Sequence, residues 1–168
     1  MSRNVEIKVR VGDLEGVRMR LATIDAEDRG VLRQVDTYFR TPESALRLKL
    51  RDQEPGASEL IAYSRPAVPG LRTSAYRVLK VTDPAGLRET LTQGLGMERE
   101  VRKTRHLFVV GRTRIHLDQV EGLGSFLELE VALEEGEDVV RGEAEAEKIL
   151  AVLGLERAPL IATSYSNL

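Results

Sequence analysis

Glu128 and Glu130 stand in the stretch SFLELEVAL, Ser125 to Leu133, where Phe126, Glu128 and Glu130 alternate with Leu127, Leu129 and Val131. Such alternation marks a β-strand with one acidic and one apolar face. Neighbouring carboxylates repel, so the pair must either stand in water or share a cation. Hard divalent ions such as Mg²⁺ and Mn²⁺ take oxygen ligands of this sort and bridge onward to phosphate oxygens. Cations that would suit those phosphates recur in the same alternating pattern. VEIKVRV, residues 5–11, sets Glu6, Lys8 and Arg10 against Val5, Ile7, Val9 and Val11. ALRLKLRD, residues 45–52, sets Arg47, Lys49 and Arg51 against Leu46, Leu48 and Leu50. Arg65, Arg77, Lys103, Arg105, Arg112 and Arg114 fall on later strand-like stretches, whereas the acids on these faces are Glu6, Asp118, Glu128 and Glu130. Arginine holds phosphate by paired hydrogen bonds and lysine as a point charge. The chemistry these types suit is metal-assisted handling of a polyanion.

The elements that must position them follow from periodicity and turn residues. Strands are expected over VEIKVRV, VLRQVDTYF, ALRLKLRD, ELIAYSRP, SAYRVLKV, EVRKTRHLFVVG, RTRIHLDQVEGLG and the SFLELEVAL stretch. Gly111 and the pair Gly122 and Gly124 mark turns between the last three. Helices are expected over GDLEGVRMRLATIDAED with Asp13 as N-cap, over DPAGLRETLTQGLG between its Asp-Pro start and Gly96, and over GEAEAEKILAVLGL. Glu143 to Glu147 read as the acidic first turn of that last helix. Short connections favour antiparallel neighbours, and closing so many short strands removes exposed edges. The expected fold is α+β: a closed eight-stranded antiparallel β-barrel in a single domain spanning 1–168.

Periodicity alone leaves two arrangements open. The charged faces can stand in water over an apolar core, as in an ordinary half-buried sheet. Alternatively the apolar faces point outward beneath the helices and the charged faces line the bore. Whole strands carrying one sign of charge on one side bring the second level with the first, because a solvated surface mixes its signs. A bore so lined must hold water and, in use, a polyanion, since unpaired buried charge is costly.

Composition narrows the function further. The chain has no cysteine, which removes disulfides and thiol chemistry together. Its two histidines, His106 and His116, are not in an H-E-x-x-H motif, so zinc hydrolase chemistry is not expected. A net charge of −2 and an aromatic content of 4% argue against nucleic-acid binding. The MSRNVEIKVRV start has no apolar h-region and no long apolar run follows, so a cytoplasmic protein is expected.

NVEIKVRV resembles the N-terminal E-x-E-x-K strand of the CYTH superfamily, also called triphosphate tunnel metalloenzymes. The likeness continues through VDTYF, LRLKLR, YSRP, RKTRHLFVVGRTRIHLDQVEGLGSFLELE and the final Ser164-Tyr165, covering essentially the whole chain. Its most specific part is D-x-V-x-G-L-G-x-F-x-E-x-E, and the chain is most similar to the branch of class IV adenylyl cyclases, with thiamine and inorganic triphosphatases as cousins. The resemblance implies an antiparallel tunnel with a charged interior, helices packed outside, and Mg²⁺ or Mn²⁺ as cofactor. It implies Glu6, Glu128 and Glu130 as metal ligands with Asp118 as a fourth, and Glu6, Lys8, Glu128 and Glu130 as the catalytic set. Lys8, Arg47, Lys49, Arg51, Arg65, Arg77, Lys103, Arg105 and Arg114 would hold the triphosphate. Arg10 and Arg112 fit the rim equally well. Two departures stand out. The first acid of E-x-E-x-K is Asn4, which weakens a second metal site more than the first. Tyr38 matches a tyrosine paired with lysine in the thiamine triphosphatase branch, but the lysine's position matches Arg65, which cannot serve as a base near pH 7.

The resemblance therefore implies conversion of ATP to cyclic AMP and pyrophosphate. The alternatives are hydrolysis of inorganic, nucleoside or thiamine triphosphate, or a non-catalytic nucleotide- or polyphosphate-binding module. Neither a membrane nor a nucleic acid is an expected partner, and a homodimer stays open. His116 is expected in a structural hydrogen-bonding role beside Arg114 and Asp118, and Asp36 is expected to fix the neighbouring strand.

Overall fold

A computed structural model of the chain describes residues 2–42, 46–64, 72–161 and 164–168. In chain order these form β1 (Ser2–Arg10), α1 (Leu14–Leu21), β2 (Glu27–Phe39), β3 (Leu46–Glu54), β4 (Ser58–Ser64) and β5 (Arg72–Val81). Then follow α2 (Pro84–Leu95), β6 (Met97–Val110), β7 (Thr113–Val120), β8 (Gly124–Leu133), α3 (Val139–Val152) and a closing 3₁₀ turn, Tyr165–Asn167. All strand pairings are antiparallel, and the ladder order is β1-β5-β4-β3-β2-β6-β7-β8. β1 pairs with β5 on one side and with β8 on the other, so each strand has two hydrogen-bonded neighbours. No described helix is long and apolar enough to cross a membrane.

The apolar core lies outside the curl of the sheet. Val5, Ile7 and Val9 of β1, Ile115 and Leu117 of β7, and Leu127, Leu129 and Val131 of β8 cluster with Val17 and Leu21 of α1 and Ala146, Ile149 and Leu150 of α3. Each of these strand residues is nearly or fully buried. Burying one such side chain contributes about 1.5–3 kcal/mol, so this seam fixes which face of the alternation points away from the bore. At Gly142 of α3 an added Cβ would lie 2.8 Å from Leu133 Cδ2 and 2.8 Å from Val5 Cγ2, and glycine is what allows the helix to sit that close. α2 is different: it touches β2 and β3 without burying a residue fully.

The caps at Asp13 and Asp83 form as the sequence implies, each carboxylate accepting from the backbone N–H three residues on, and Gly96 caps α2 at a positive φ of 82°. The first helix is shorter than expected. It stops at Leu21, the chain turns through Asp25 with φ 51°, and β2 starts at Glu27. Asp28 accepts the Gly30 N–H at 2.8 Å, which ties a register shift between Asp28 and Val31 in the β2–β6 ladder. α3 starts earlier than expected, because Asp138 caps it by accepting from Val140 N. Glu143 to Glu147 therefore lie inside the helix rather than in its first turn, and Glu145 instead bonds Arg112 and Thr113.

Candidate active site

Inside the sheet lies a cavity of ≈ 370 Å³, and most of the charged faces expected from the sequence line it: Glu6, Lys8, Lys49, Arg51, Lys103, Arg105, Arg114, Glu128 and Glu130. Alternation explains the placement. On β8, Leu127, Leu129 and Val131 enter the helix-covered core, so Glu128 and Glu130 must face inward.

Ladder register then sets the ion pairs. Lys8 is directly opposite Glu128, and Lys8 Nζ lies 3.2 Å from its carboxylate. Arg105 is opposite Asp118 and donates to it twice, at 2.7 and 2.6 Å, with a further bond of 3.1 Å to Glu128. Arg114 is opposite Glu130 and bonds it at 2.5 Å, while His116 is opposite Glu128 with Nδ1 at 3.1 Å from Oε1. Asp36, completely buried, accepts from Lys49 at 2.8 Å and from Arg51 at 2.9 and 3.0 Å, and Lys103 Nζ lies 3.6 Å away. Lys103 is also 3.8 Å from Asp118, so it links the two halves of the network. Tyr165, from the closing 3₁₀ turn, donates its hydroxyl to Asp118 at 2.8 Å and lies 4.1 Å beneath Lys8 Nζ. Tyr38, Val101, Val120, Phe126 and Tyr165 pack together as a small apolar cluster beside these charges.

The environment sorts the protonation states. Burial alone would raise the Glu128 carboxyl, but Lys8, Arg105 and the His116 hydrogen bond hold it well below the usual range. Burial likewise opposes ionisation of Glu130, and His116 and Arg114 overcome it. His116 is pushed down by burial and by Arg105, against the pull of Glu130 and Glu128. Lys103 is pushed down to about 7 by burial and Arg105, against the opposing pull of Asp36 and Asp118.

His116, Glu128 and Glu130 offer ligand atoms all within 4.8 Å of one another, two of them carboxylate oxygens and one an imidazole nitrogen. Glu6 is the cross-strand partner of Glu130. That donor set, carboxylates with an imidazole, fits a hard divalent ion such as Mg²⁺ or Mn²⁺, with the nitrogen better suited to Mn²⁺. Asp118, expected as a fourth ligand, stands apart from that group, with both oxygens committed to Arg105 and one also to Tyr165.

The remaining expected residues divide. Arg47 shares the β3 face of Lys49 and Arg51, at the strand end opposite Tyr63. Arg65 lies outside the described residues. Arg77 is a correction: Tyr76 and Val78 line the cavity, so Arg77 between them points to the outer face and is exposed. Arg112 is at the β6–β7 turn, paired with Glu137 and Glu145, and does not line the cavity. Arg10 is exposed, bonding the Leu123 carbonyl at 2.6 Å and lying over Phe126. Asp36 does more than fix a strand, since it is the shared counter-ion of three cations. Its signal was the inward set Leu32, Gln34, Asp36 and Tyr38 of β2, which is too mixed in polarity to stand out as a pattern.

The CYTH domain profile matches residues 2–165. Adenylate cyclase CyaB of Aeromonas hydrophila is 27% identical over 173 residues, covering 98% of this chain and 87% of its own. The PH1012 protein of Pyrococcus horikoshii superposes with a TM-score of 0.89 at 24% identity, over 98% of each chain. HpAC1 of Hippeastrum, described as having a dominant triphosphatase activity, superposes with a TM-score of 0.66 at 15% identity, over 96% of this chain and 92% of its own.

Proposed function

The chain belongs to the CYTH family, and from that premise we propose that it is a divalent-metal-dependent enzyme acting on a triphosphate held in the bore of a closed tunnel, with ATP cyclisation as its reaction. One observation carries this: Lys8, Lys49, Arg51, Lys103 and Arg105 converge on one internal cavity beside the carboxylates of Glu128 and Glu130. The relative named adenylate cyclase CyaB supports the choice of reaction. Glu6, Glu128 and Glu130, with His116 beside them, would hold Mg²⁺ or Mn²⁺. When bound, the ion supplies charge neutralisation and polarisation of phosphoryl oxygens.

The chain's own residues do the rest. Lys8, Lys49, Lys103 and Arg105 bind the phosphate oxygens and stabilise charge that builds up as a P–O bond breaks. Arg47, Arg51 and Arg114 complete the cationic lining, with Arg51 and Lys49 kept in place by Asp36 and Arg105 by Asp118. In the cyclisation, the ribose 3′-oxygen bonds to the α-phosphorus and the α–β bridging bond breaks. The hydroxyl loses its proton and pyrophosphate leaves. Holding the two reacting atoms together is the main contribution available to such a site.

A second reading is triphosphate hydrolysis. The cationic bore would grip any triphosphate, and in the Hippeastrum protein the same fold is described with a dominant triphosphatase activity. Incubation with ATP, thiamine triphosphate and inorganic triphosphate, each with Mg²⁺ or Mn²⁺, followed by product separation, decides among them. Cyclic AMP and pyrophosphate are expected. Orthophosphate instead selects the hydrolase, and tight binding without product selects a binding module.

A further inference from the structure

The segment after α3 grips Lys8 at two points. Leu160 bridges Val9, and the Ile161 N–H donates to the Lys8 carbonyl at 2.8 Å. Tyr165, in the closing 3₁₀ turn, then meets the same lysine's side chain, with Nζ 4.1 Å from the ring centroid. Lys103 Nζ, from β6, lies 5.0 Å from that centroid. One ring thus faces two of the ammonium groups that line the cavity. The ring itself is held firmly. It is 3% exposed, Phe126 packs against it with centroids 5.0 Å apart, and its hydroxyl donates to Asp118 at 2.8 Å. Burial, Asp118 and Glu128 push the phenol well above its usual range, so the hydroxyl remains a donor.

Carboxylates compete for the same two ammonium groups. Lys8 Nζ is 3.2 Å from Glu128, and Lys103 Nζ is 3.6 Å from Asp36 and 3.8 Å from Asp118. Left to these alone, each ammonium would settle onto a carboxylate, and an arriving phosphate would have to break that pair first. An aromatic face attracts an ammonium through its quadrupole within about 6 Å of the centroid, most strongly where water is excluded. Both lysine side chains are almost fully buried, so these contacts are desolvated. The ring carries no net charge to repel a polyanion, and it leaves ammonium N–H groups to donate to phosphate oxygens. A third carboxylate in its place would do neither.

We propose that Tyr165 is a positioning residue for polyanion binding: its ring holds the Lys8 and Lys103 ammonium groups ready for phosphate, and its hydroxyl holds Asp118, the carboxylate on which Arg105 is anchored. The segment after α3 thereby completes the phosphate site from outside the strand ladder. Tyr165 need touch no phosphate, because it acts through these three cations. The inference rests on the triphosphate reading above and adds to it a residue that belongs neither to the cationic lining nor to the acidic cluster.

The test is calorimetric binding of inorganic triphosphate to the intact protein with Mn²⁺, under conditions without turnover. Tyr165→Phe keeps the ring and should bind within about threefold of the parent, because Asp118 retains both bonds from Arg105. Pentafluorophenylalanine in place of Tyr165 keeps the ring's shape but reverses its quadrupole, and should weaken binding about tenfold. Should the fluorinated protein not fold, Tyr165→Leu, which removes the face outright, carries the same expectation. The gap between the two rings should narrow to about threefold in a Lys8→Met or a Lys103→Met background, because a merely structural role would not couple to either ammonium. Equal affinity with the two rings overturns the proposal while leaving the phosphate site standing. A gap undiminished in both lysine backgrounds also overturns it. Failure of the parent protein to bind inorganic triphosphate overturns the triphosphate reading and this inference with it.

Discussion

Asp36→Asn is the substitution that most strains the charge network. The carboxylate is fully buried and carries two bonds from Arg51, one from Lys49 and the approach of Lys103. Asparagine keeps the shape but removes the charge and turns an N–H₂ toward three cations. Deleting one partner of a buried ion pair costs roughly 3–5 kcal/mol. For a chain of this size each kcal/mol is worth about 2–4 °C in Tm, so the expected fall is roughly 6–20 °C. Inorganic triphosphate should restore more of that loss in the variant than it adds to the parent protein, because the ligand supplies the missing negative charge. The pH dependence has a definite sign. Burial opposes ionisation of Asp36, but Arg51, Lys49 and Lys103 hold its pKa well below the usual value. The stabilisation is thus present above the unfolded-state value of about 4 and is lost as pH falls through the folded-state value. Thermal unfolding by circular dichroism, with and without inorganic triphosphate, reads both effects. A variant melting within about 2 °C of the parent at neutral pH, by the same size scaling, would refute the reasoning, since the three cations would then need no internal counter-charge.

Other consequences are equally direct. Glu130→Gln should abolish metal-dependent turnover, by about a hundredfold or more, while leaving the circular dichroism spectrum unchanged; full activity would remove this carboxylate from the mechanism. Lys103 is held down to about 7 by burial and Arg105, and a bound polyanion favours its charged form, so triphosphate binding should take up a proton at pH 8 and almost none at pH 6. Calorimetry in two buffers of different ionisation enthalpy measures that uptake, and equal proton exchange at both pH values would contradict it. Tyr165→Phe removes the hydroxyl bonded to Asp118 at 2.8 Å and should destabilise by about 1.5–3 kcal/mol in urea unfolding. Gly142→Ala should cost about 1–3 kcal/mol in the same measurement, because its Cβ meets Val5 and Leu133 at 2.8 Å.

The strand alternations of SFLELEVAL and ALRLKLRD were legible from the sequence, as were the caps at Asp13, Asp83 and Gly96. Which face pointed inward was not fixed by alternation alone, because a strand's two faces are related by a one-residue shift. The packing of Val17, Leu21, Ile149 and Leu150 onto β1 and β8 decides it. SAYRVLKV misled for Arg77 because its apolar residues fall on both faces: Val78 lines the cavity, while Leu79 is 56% exposed on the other side. The part played by Asp36 was hidden for another reason. Its partners come from β3 and β6, and only the ladder register brings Lys49, Arg51 and Lys103 to one carboxylate. His116 joined the acidic group by the same means, opposite Glu128 across the β7–β8 ladder. Helix ends were misread where side chains made local bonds that no periodicity reports, at Thr23, whose hydroxyl donates to the Arg20 carbonyl, and at Asp138 with Val140.

The most direct measurement of the central claim is a crystal structure with Mn²⁺ and inorganic triphosphate, phased to reveal the anomalous signal of manganese. The account predicts a manganese peak within ligand distance of the Glu6, Glu128 and Glu130 carboxylates, and phosphate oxygens on Lys8, Lys49, Lys103 and Arg105. A bore filled only by water, with phosphate bound on the outer face of the sheet, would contradict it.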